Sequence, residues 1–310
     1  MRYFPLPDLS LLIVVPVYKP NIGEWRAWID AIREQSVSAA VLVIDSGSPE
    51  GVLKITQEAG FSIHEIAAAN FNHGGTRQFA VEANPEFDVV VFLTQDAILV
   101  SPDSIASLVA TFASDDVGAV YGRQLPRPVA GSIEAHARLF NYPASSHVCD
   151  FDDAASMGIK AAFMSNSFAA YRRSALMEVG GFPSDVILGE DTIVAAKMLM
   201  AGWKVAYQAD AQVYHSHDYT YLQEFRRYFD IGVMHTRESW MLDAFGKPEG
   251  EGARFVRSEL AYLLRKAPWL IPSAILRTGL KYLGYRLGRM ESSLPLSLKR
   301  YLSMHKGYWK

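Results

Sequence analysis

Four short apolar runs, each stopping at a polar turn, limit what this chain can become more than any other feature. They are LLIVVPVY (11–18), AAVLVIDSGS (39–48), FSIHEIA (61–67) and FDVVVFLTQD (87–96). Those at 11–18, 39–48 and 87–96 are rich in Val and Ile and scarcely alternate with polar residues, which predicts strands buried on both faces, and 61–67 reads as a further strand. Helical patterns separate them. Ile22, Trp25, Ile29 and Ile32 recur at helical spacing within 22–35, and further helices are expected near 49–59 and from Gly75 to Glu82. Strands alternating with helices argue for an α/β chain with a mostly parallel sheet covered on both faces. Ligands of such sheets bind beyond the carboxyl ends of the strands. The polar ends Tyr18-Lys19-Pro20, Asp45-Ser46-Gly47 and Thr94-Gln95-Asp96 should therefore converge on one rim.

The second half is less regular. Residues 123–160 mix Pro, Gly, His and Asp and read as a long loop or insertion. A strand, a short helix and a glycine stop are expected over 161–182, and a helix with an acidic first turn over 190–203. Residues 204–217 read as a strand pair or extended segment ending in His215 and His217, and 219–240 as helical. A boundary is expected near 240–252, where AFGKPEGEG intervenes and the charge changes sign. Residues 251–310 hold 12 Lys and Arg against 3 Asp and Glu, whereas residues 1–250 hold 18 against 30. A basic segment interleaved with Leu, Ile, Trp and Tyr (253–290) suits a membrane interface, a packed helical subdomain or a dimer contact.

Composition narrows the classes. A net charge of -3 argues against a nucleic-acid-binding polycation. The single cysteine, Cys149, allows no intrachain disulfide and fits a reducing compartment. No window has the roughly 18 apolar residues of a membrane span, and the first ten residues lack a secretory leader pattern.

The chemistry-bearing residues each admit two readings. Asp45 could accept a pyrimidine N–H or a ribose hydroxyl, or bond its own DSGS turn. Asp96 could hold Mg²⁺ or Mn²⁺, or cap a helix. In FNHGGTRQFA (71–80), Gly74 and Gly75 open a helix between His73 and Arg77, an arrangement that would suit an anion as well as an ordinary helix start. Glu190-Asp191 could supply a general base or merely favour a helix N-terminus. His215 and His217, at i and i+2, could be metal ligands or hydrogen-bonded surface residues.

Taken in order, Val-Pro-Val-Tyr, Asp-Ser-Gly-Ser, Gln-Asp-Ala, Gly-Glu-Asp and Tyr-His-Ser-His resemble the inverting glycosyltransferases of family 2, over roughly residues 10–240. FNHGGTRQFA, SNSFAAYRR, GGFP and EFRRYFDIGVMH are similar to the rhamnosyltransferase branch of that family, which builds bacterial surface polysaccharides. The resemblance implies a GT-A fold over 1–240, Rossmann-like, with a basic helical C-terminal region over 241–310. It implies that Pro16, Val17 and Tyr18 line the base pocket, that Asp45 with Ser46 bonds the pyrimidine, and that His73 and Arg77 face the nucleotide diphosphate. Gln95 and Asp96 would meet the nucleotide sugar, and Asp96 would bind the divalent cation, Mg²⁺ or Mn²⁺. Thr94 stands where the family usually carries the first acid of Asp-x-Asp, and His215 would be the replacement ligand. Asp191 would be the base, with Glu190 orienting it or holding the acceptor. The implied donor is dTDP-L-rhamnose, and the implied acceptor is a glycan on a lipid diphosphate in O-antigen, capsule or cell-wall synthesis. The implied location is cytoplasmic, peripheral on the inner face of the bacterial cytoplasmic membrane. Two other readings stay open: the same fold using UDP-glucose or UDP-galactose, and a nonenzymatic nucleotide-sugar-binding protein.

Overall fold

The computed structural model describes residues 8–246 and 250–309. The first seven residues, read above for a leader, and 247–249 of the expected boundary lie outside the described residues. In chain order the N-terminal half comprises β1 (Leu11–Val17), α1 (Ile22–Arg33), β2 (Ala40–Asp45), α2 (Glu50–Glu58), β3 (Ser62–Glu65), α3 (His73–Ala83), β4 (Val89–Leu93), β5 (Ile98–Leu99), α4 (Ser104–Val109) and β6 (Val117–Leu125). Then follow α5 (Ser132–Asn141), β7 (His147–Cys149), α6 (Ala154–Met157), β8 (Phe168–Arg172), α7 (Arg173–Glu178), α8 (Glu190–Met200) and β9 (Lys204–Tyr214). The remainder is helical: α9 (Tyr221–Arg237), α10 (Ser239–Phe245), α11 (Glu251–Lys266), α12 (Ile271–Gly288) and α13 (Leu296–Leu302).

The strands form one sheet in the order β3-β2-β1-β4-β8-β6-β9-β5, with β7 added against β9. The half read from the apolar runs is parallel: β3, β2, β1 and β4 all run the same way. Beyond β4 the chain returns antiparallel through β8, and only β6 and β9 pair in parallel, so the sheet is mixed. Its two faces carry separate cores. Trp25, Trp28, Ile29 and Ile32 of α1 cover one, with the two indoles stacked 4.8 Å apart. Phe182 and the apolar face of α8 cover the other. Asn21 caps α1 by accepting from the Gly23 and Glu24 amides.

One expectation changes. Residues 123–160 are not a long loop: α5, β7 and α6 lie there, and β6, a central strand, runs into its start. Gly122 marks a β-bulge in β6, where a side chain would run into the Phe168 ring. Of the two readings of 204–217 the extended segment holds, since Lys204–Tyr214 is one continuous strand. The basic tail is helical, as expected, and packs on the rest of the chain. At the crossing of α9 and α12, a Cβ on Gly284 or Gly288 would overlap the carbonyl oxygen of Phe225 or Phe229. Gly232 faces Tyr285 in the same way, so the two backbones touch.

Candidate active site

Strand register builds the first cluster. Ile98 of β5 pairs with Tyr214 of β9, so Asp96, just before one strand, meets His215 and His217, just after the other. His215 Nε2 lies 3.4 Å, and His217 Nδ1 3.8 Å, from Asp96 Oδ2. The ligand atoms of all three residues fall within 4.8 Å of one another. The far nitrogen of His215, Nδ1, is 2.8 Å from Gln124 Oε1. That amide is itself oriented, its oxygen accepting from Arg138 Nη1 at 2.6 Å and its nitrogen donating to Ser165 Oγ. An amide oxygen only accepts, so His215 Nδ1 carries the proton and Nε2 turns a lone pair toward the carboxylate. Two acceptors facing each other at this distance suit a cation placed between them. A neutral imidazole pinned by a hydrogen bond at its far nitrogen is the usual dress of a metal ligand.

The protonation states agree. Burial lowers the pKa of His215, and burial with the charge of His215 lowers His217 to about 4. Burial alone would raise Asp96, but protonated His215 donates to it and, with the charge of protonated His217, holds it well below the usual carboxylate range. At neutral pH the cluster is one carboxylate and two neutral imidazoles, a donor set that takes divalent transition ions such as Mn²⁺. Arg127 fixes the loop, donating from Nη2 to the Asp96 carbonyl at 2.8 Å.

The second cluster opens α8. Glu190 is 6% exposed and lies 2.7 Å from Arg77 Nη1. Asn166 donates from its side chain to Glu190 Oε1 at 3.4 Å and from its backbone to Asp191 Oδ2 at 3.1 Å. Tyr171 fixes Asn166 by donating its hydroxyl to Oδ1 at 2.8 Å. The other Asp191 oxygen accepts from the Thr192 amide. Burial would raise Glu190, yet Arg77 and His73 hold it down and ionised. Burial and the Glu190 charge push Asp191 up to about 6. Two adjacent carboxyls driven apart in this way can divide the roles of fixed charge and proton acceptor. Helix capping alone does not call for a buried ion pair.

The remaining expected residues fall as follows. Asp45 Oδ2 accepts from the Gly47 and Ser48 amides, as its turn reading predicted. Its Oδ1 is buried without a partner among the described residues. Ser46 Oγ donates to the Val17 carbonyl. Gln95 brackets Tyr18, accepting from its amide at 2.8 Å and donating to its carbonyl at 3.3 Å. Tyr18 is 51% exposed on the rim and Pro16 half-buried, whereas the Val17 side chain points into the core.

The FNHGGTRQFA stretch needs correction as an open anion cradle. The helix starts at His73 and is already capped: the Gly75 amide donates to Asn72 Oδ1 at 2.7 Å. Gly74 is a packing residue, since a Cβ there would overlap the Pro183 carbonyl oxygen. Arg77 is buried and turned to Glu190, and the His73 ring stands 5.6 Å from that of His305. Sequence reasoning missed Asn166, Gln124 and Arg127. Asn166 lies within SNSFAAYRR, but nothing in its spacing marks it, because its partners are brought by β8 and α8.

A family model described as glycosyl transferase family group 2 matches residues 89–287. The O-antigen chain rhamnosyltransferase RfbN of Salmonella typhimurium is 48% identical over 304 residues, covering 97% of this chain and 96% of that protein. The O-antigen chain rhamnosyltransferase WbaN of Salmonella anatum is 46% identical over 301 residues, with the same coverage. Among solved structures, the mannosyltransferase PcManGT of Pyrobaculum calidifontis, in complex with GDP-Man and Mn²⁺, aligns with a TM-score of 0.56 at 20% identity, covering 97% of this chain and 85% of that one. That likeness speaks for the GT-A fold.

Proposed function

The chain belongs to glycosyl transferase family group 2, and from that membership we propose that it is an O-antigen chain rhamnosyltransferase using dTDP-L-rhamnose. One observation carries the chemistry: a proton-accepting carboxyl, Asp191, and a buried partner held ionised, Glu190, are tied to the Asp96–His215–His217 cluster through adjacent residues, Asn166 bonding both carboxyls and Ser165 bonding the Gln124 amide that holds His215. Asp191 takes the proton of an acceptor hydroxyl. The hydroxyl oxygen bonds to the anomeric carbon as the bond to the diphosphate oxygen breaks, and dTDP leaves from the opposite face. One displacement inverts the configuration, so a β-linked donor gives an α-L-rhamnoside. Arg77 keeps Glu190 charged, and Asn166 aims the Asp191 carboxyl with its backbone N–H. Asp96, His215 and His217 would hold the divalent cation, which when bound neutralises charge on the donor's diphosphate. Asp45 Oδ1, buried and unpartnered, would accept the imide N–H of the base at the rim beside Tyr18.

Thymine and uracil present the same imide N–H, so the test must include both. Donor hydrolysis and transfer are measured with dTDP-L-rhamnose, UDP-glucose and UDP-galactose, each with Mg²⁺, Mn²⁺ or EDTA. Selective, metal-dependent turnover of dTDP-L-rhamnose is expected. Preference for a UDP sugar overturns the donor, and recognition of none overturns the enzyme reading.

The acceptor in this reading is a lipid-linked glycan, and the protein sits peripherally on the inner face of the cytoplasmic membrane. No helix among the described residues is long and apolar enough to cross a membrane. Support comes from the outer face of α12 and the turn before it, where Trp269, Ile275, Leu276, Tyr282 and Leu283 are exposed beside Arg286 and Arg289. Exposed apolar residues flanked by cations suit an anionic bilayer surface. Flotation with phosphatidylglycerol vesicles at low salt is expected and should weaken at high salt. Failure to float at low salt removes the membrane contact.

A further inference from the structure

A pocket open to bulk solvent lies between α5, α9 and α12. His217 belongs both to its wall and to the Asp96 cluster, so the pocket begins where the candidate metal site ends. Arg227, another wall residue, lowers the pKa of His217 and of His73, which borders Glu190. The pocket is therefore in electrostatic reach of both clusters.

Three carboxylates line it, Glu134, Asp218 and Glu224, beside four cations, Arg138, Arg227, Arg277 and Lys281, so its charges nearly balance, as suits a neutral polar ligand. Glu224 is 8% exposed, held by Arg277 at 3.3 Å and Lys281 at 3.5 Å through Oε1. Its other oxygen, Oε2, is buried with no hydrogen-bond partner among the described residues. A buried carboxylate oxygen without a donor is costly, and it marks a place where a ligand donor belongs. Around it stand guanidinium donors and the rings of Tyr219 and Tyr228. Carboxylates that accept from hydroxyls, guanidinium groups that donate to them and tyrosine faces that cover C–H groups together match a neutral sugar ring.

We propose that this pocket is the acceptor subsite, holding a neutral hexose residue of the acceptor glycan by a hydroxyl donated to Glu224 Oε2, with Glu134 and the two tyrosines completing the contact. The inference rests on the transferase reading above. It makes acceptor choice a property of α5, α9 and α12 rather than of the strand ends.

The test uses the full chain and methyl hexopyranosides of glucose, galactose, mannose and rhamnose as probes, followed by saturation-transfer NMR. Wild type, Glu224→Gln and Glu134→Ala are compared, with hydrolysis of dTDP-L-rhamnose measured alongside. At least one hexoside should receive saturation from wild type, and each variant should weaken its binding by about tenfold or more, the usual loss when a charged hydrogen-bond partner is removed. The donor KM should stay within about twofold of wild type, because uniform acceptor contacts leave donor binding untouched. Glu134→Ala, on a half-buried helical position, keeps the test decisive if Glu224→Gln misfolds. Binding of no hexoside, unchanged binding by the variants, or a raised donor KM in their place overturns the proposal. Absence of any nucleotide-sugar hydrolysis by wild type overturns the transferase reading instead, a result separable from the saccharide measurement.

Discussion

Asp191 and Glu190 are covalent neighbours with opposite electrostatic surroundings. One is raised to about 6 by burial and its neighbour's charge; the other is held down by Arg77. The base must be ionised to accept a proton, so kcat/KM should rise with pH through an acid limb near 6 and level off above it. A pH–rate profile checks this. Asp191→Asn removes the acceptor and keeps the shape, so turnover should fall by about a hundredfold to ten-thousandfold while donor binding measured by calorimetry is retained. Near-normal turnover would sink the base assignment. Arg77→Met should shift the same limb by leaving Glu190 without its cation. The Glu-Asp pair was visible in the sequence because acids in a helix's first turn are contiguous. The direction of Arg77 was not, since its partner lies 113 residues away and only the packing of α3 on α8 brings them together. Asp96 was readable as a strand-end carboxylate, and the His215/His217 spacing as a candidate donor pair. Their union needed the pairing of β5 with β9, two residues long and without a signature of its own.

The crossing of α9 and α12 shows why glycines in one helix are not equivalent. Glycine ordinarily costs a helix about 0.5–1 kcal/mol relative to alanine. At Gly279 nothing lies within 4 Å of an added Cβ, so Gly279→Ala should raise Tm. At Gly288 the added methyl would overlap the Phe229 carbonyl oxygen. Gly288→Ala should lose roughly 1–3 kcal/mol as the helices part and lower Tm, which calorimetry on the two variants would test. β1, β2 and β4 and the helices between them were legible because both faces of those strands are buried and hydrophobicity repeats at the helical period. The stretch over 123–160 was not, because α5 and β7 are short, amphipathic or edge elements whose partners lie far along the chain. The Pro and Gly that surround them, with the His they carry, resemble the content of a loop.

Tail and body are joined by more than charge. The acidic body and basic tail visible in the sequence raised the question of an anionic surface, a packed subdomain or a dimer contact, but not how the tail seats itself. Asp230 of α9 is buried and accepts from the amides of Met304 and His305, drawing His305 against His73 at the start of α3. Burial, outweighing these bonds, raises its pKa to about 6. A raised folded-state pKa in an acid means that the native state holds the proton more tightly. Its contribution is therefore most favourable below the unfolded value near 4 and is lost as pH rises to about 6. Asp230→Asn keeps an acceptor and abolishes the titration, so Tm of the variant relative to wild type should be higher at about pH 7.5 than at about pH 5. An unchanged difference would place the ionisation elsewhere.

The touching backbones of α9 and α12 also fix a dimension. Glu224, Arg227 and Tyr228 stand on one helix, Arg277 and Lys281 on the other, and no side-chain layer separates the two where the glycines meet. The gauge between those walls is thus set by main-chain contact and cannot be widened by repacking rotamers. A lineage carrying this crossing can acquire a new preference only by repainting the walls, one side chain at a time, and never by spreading them.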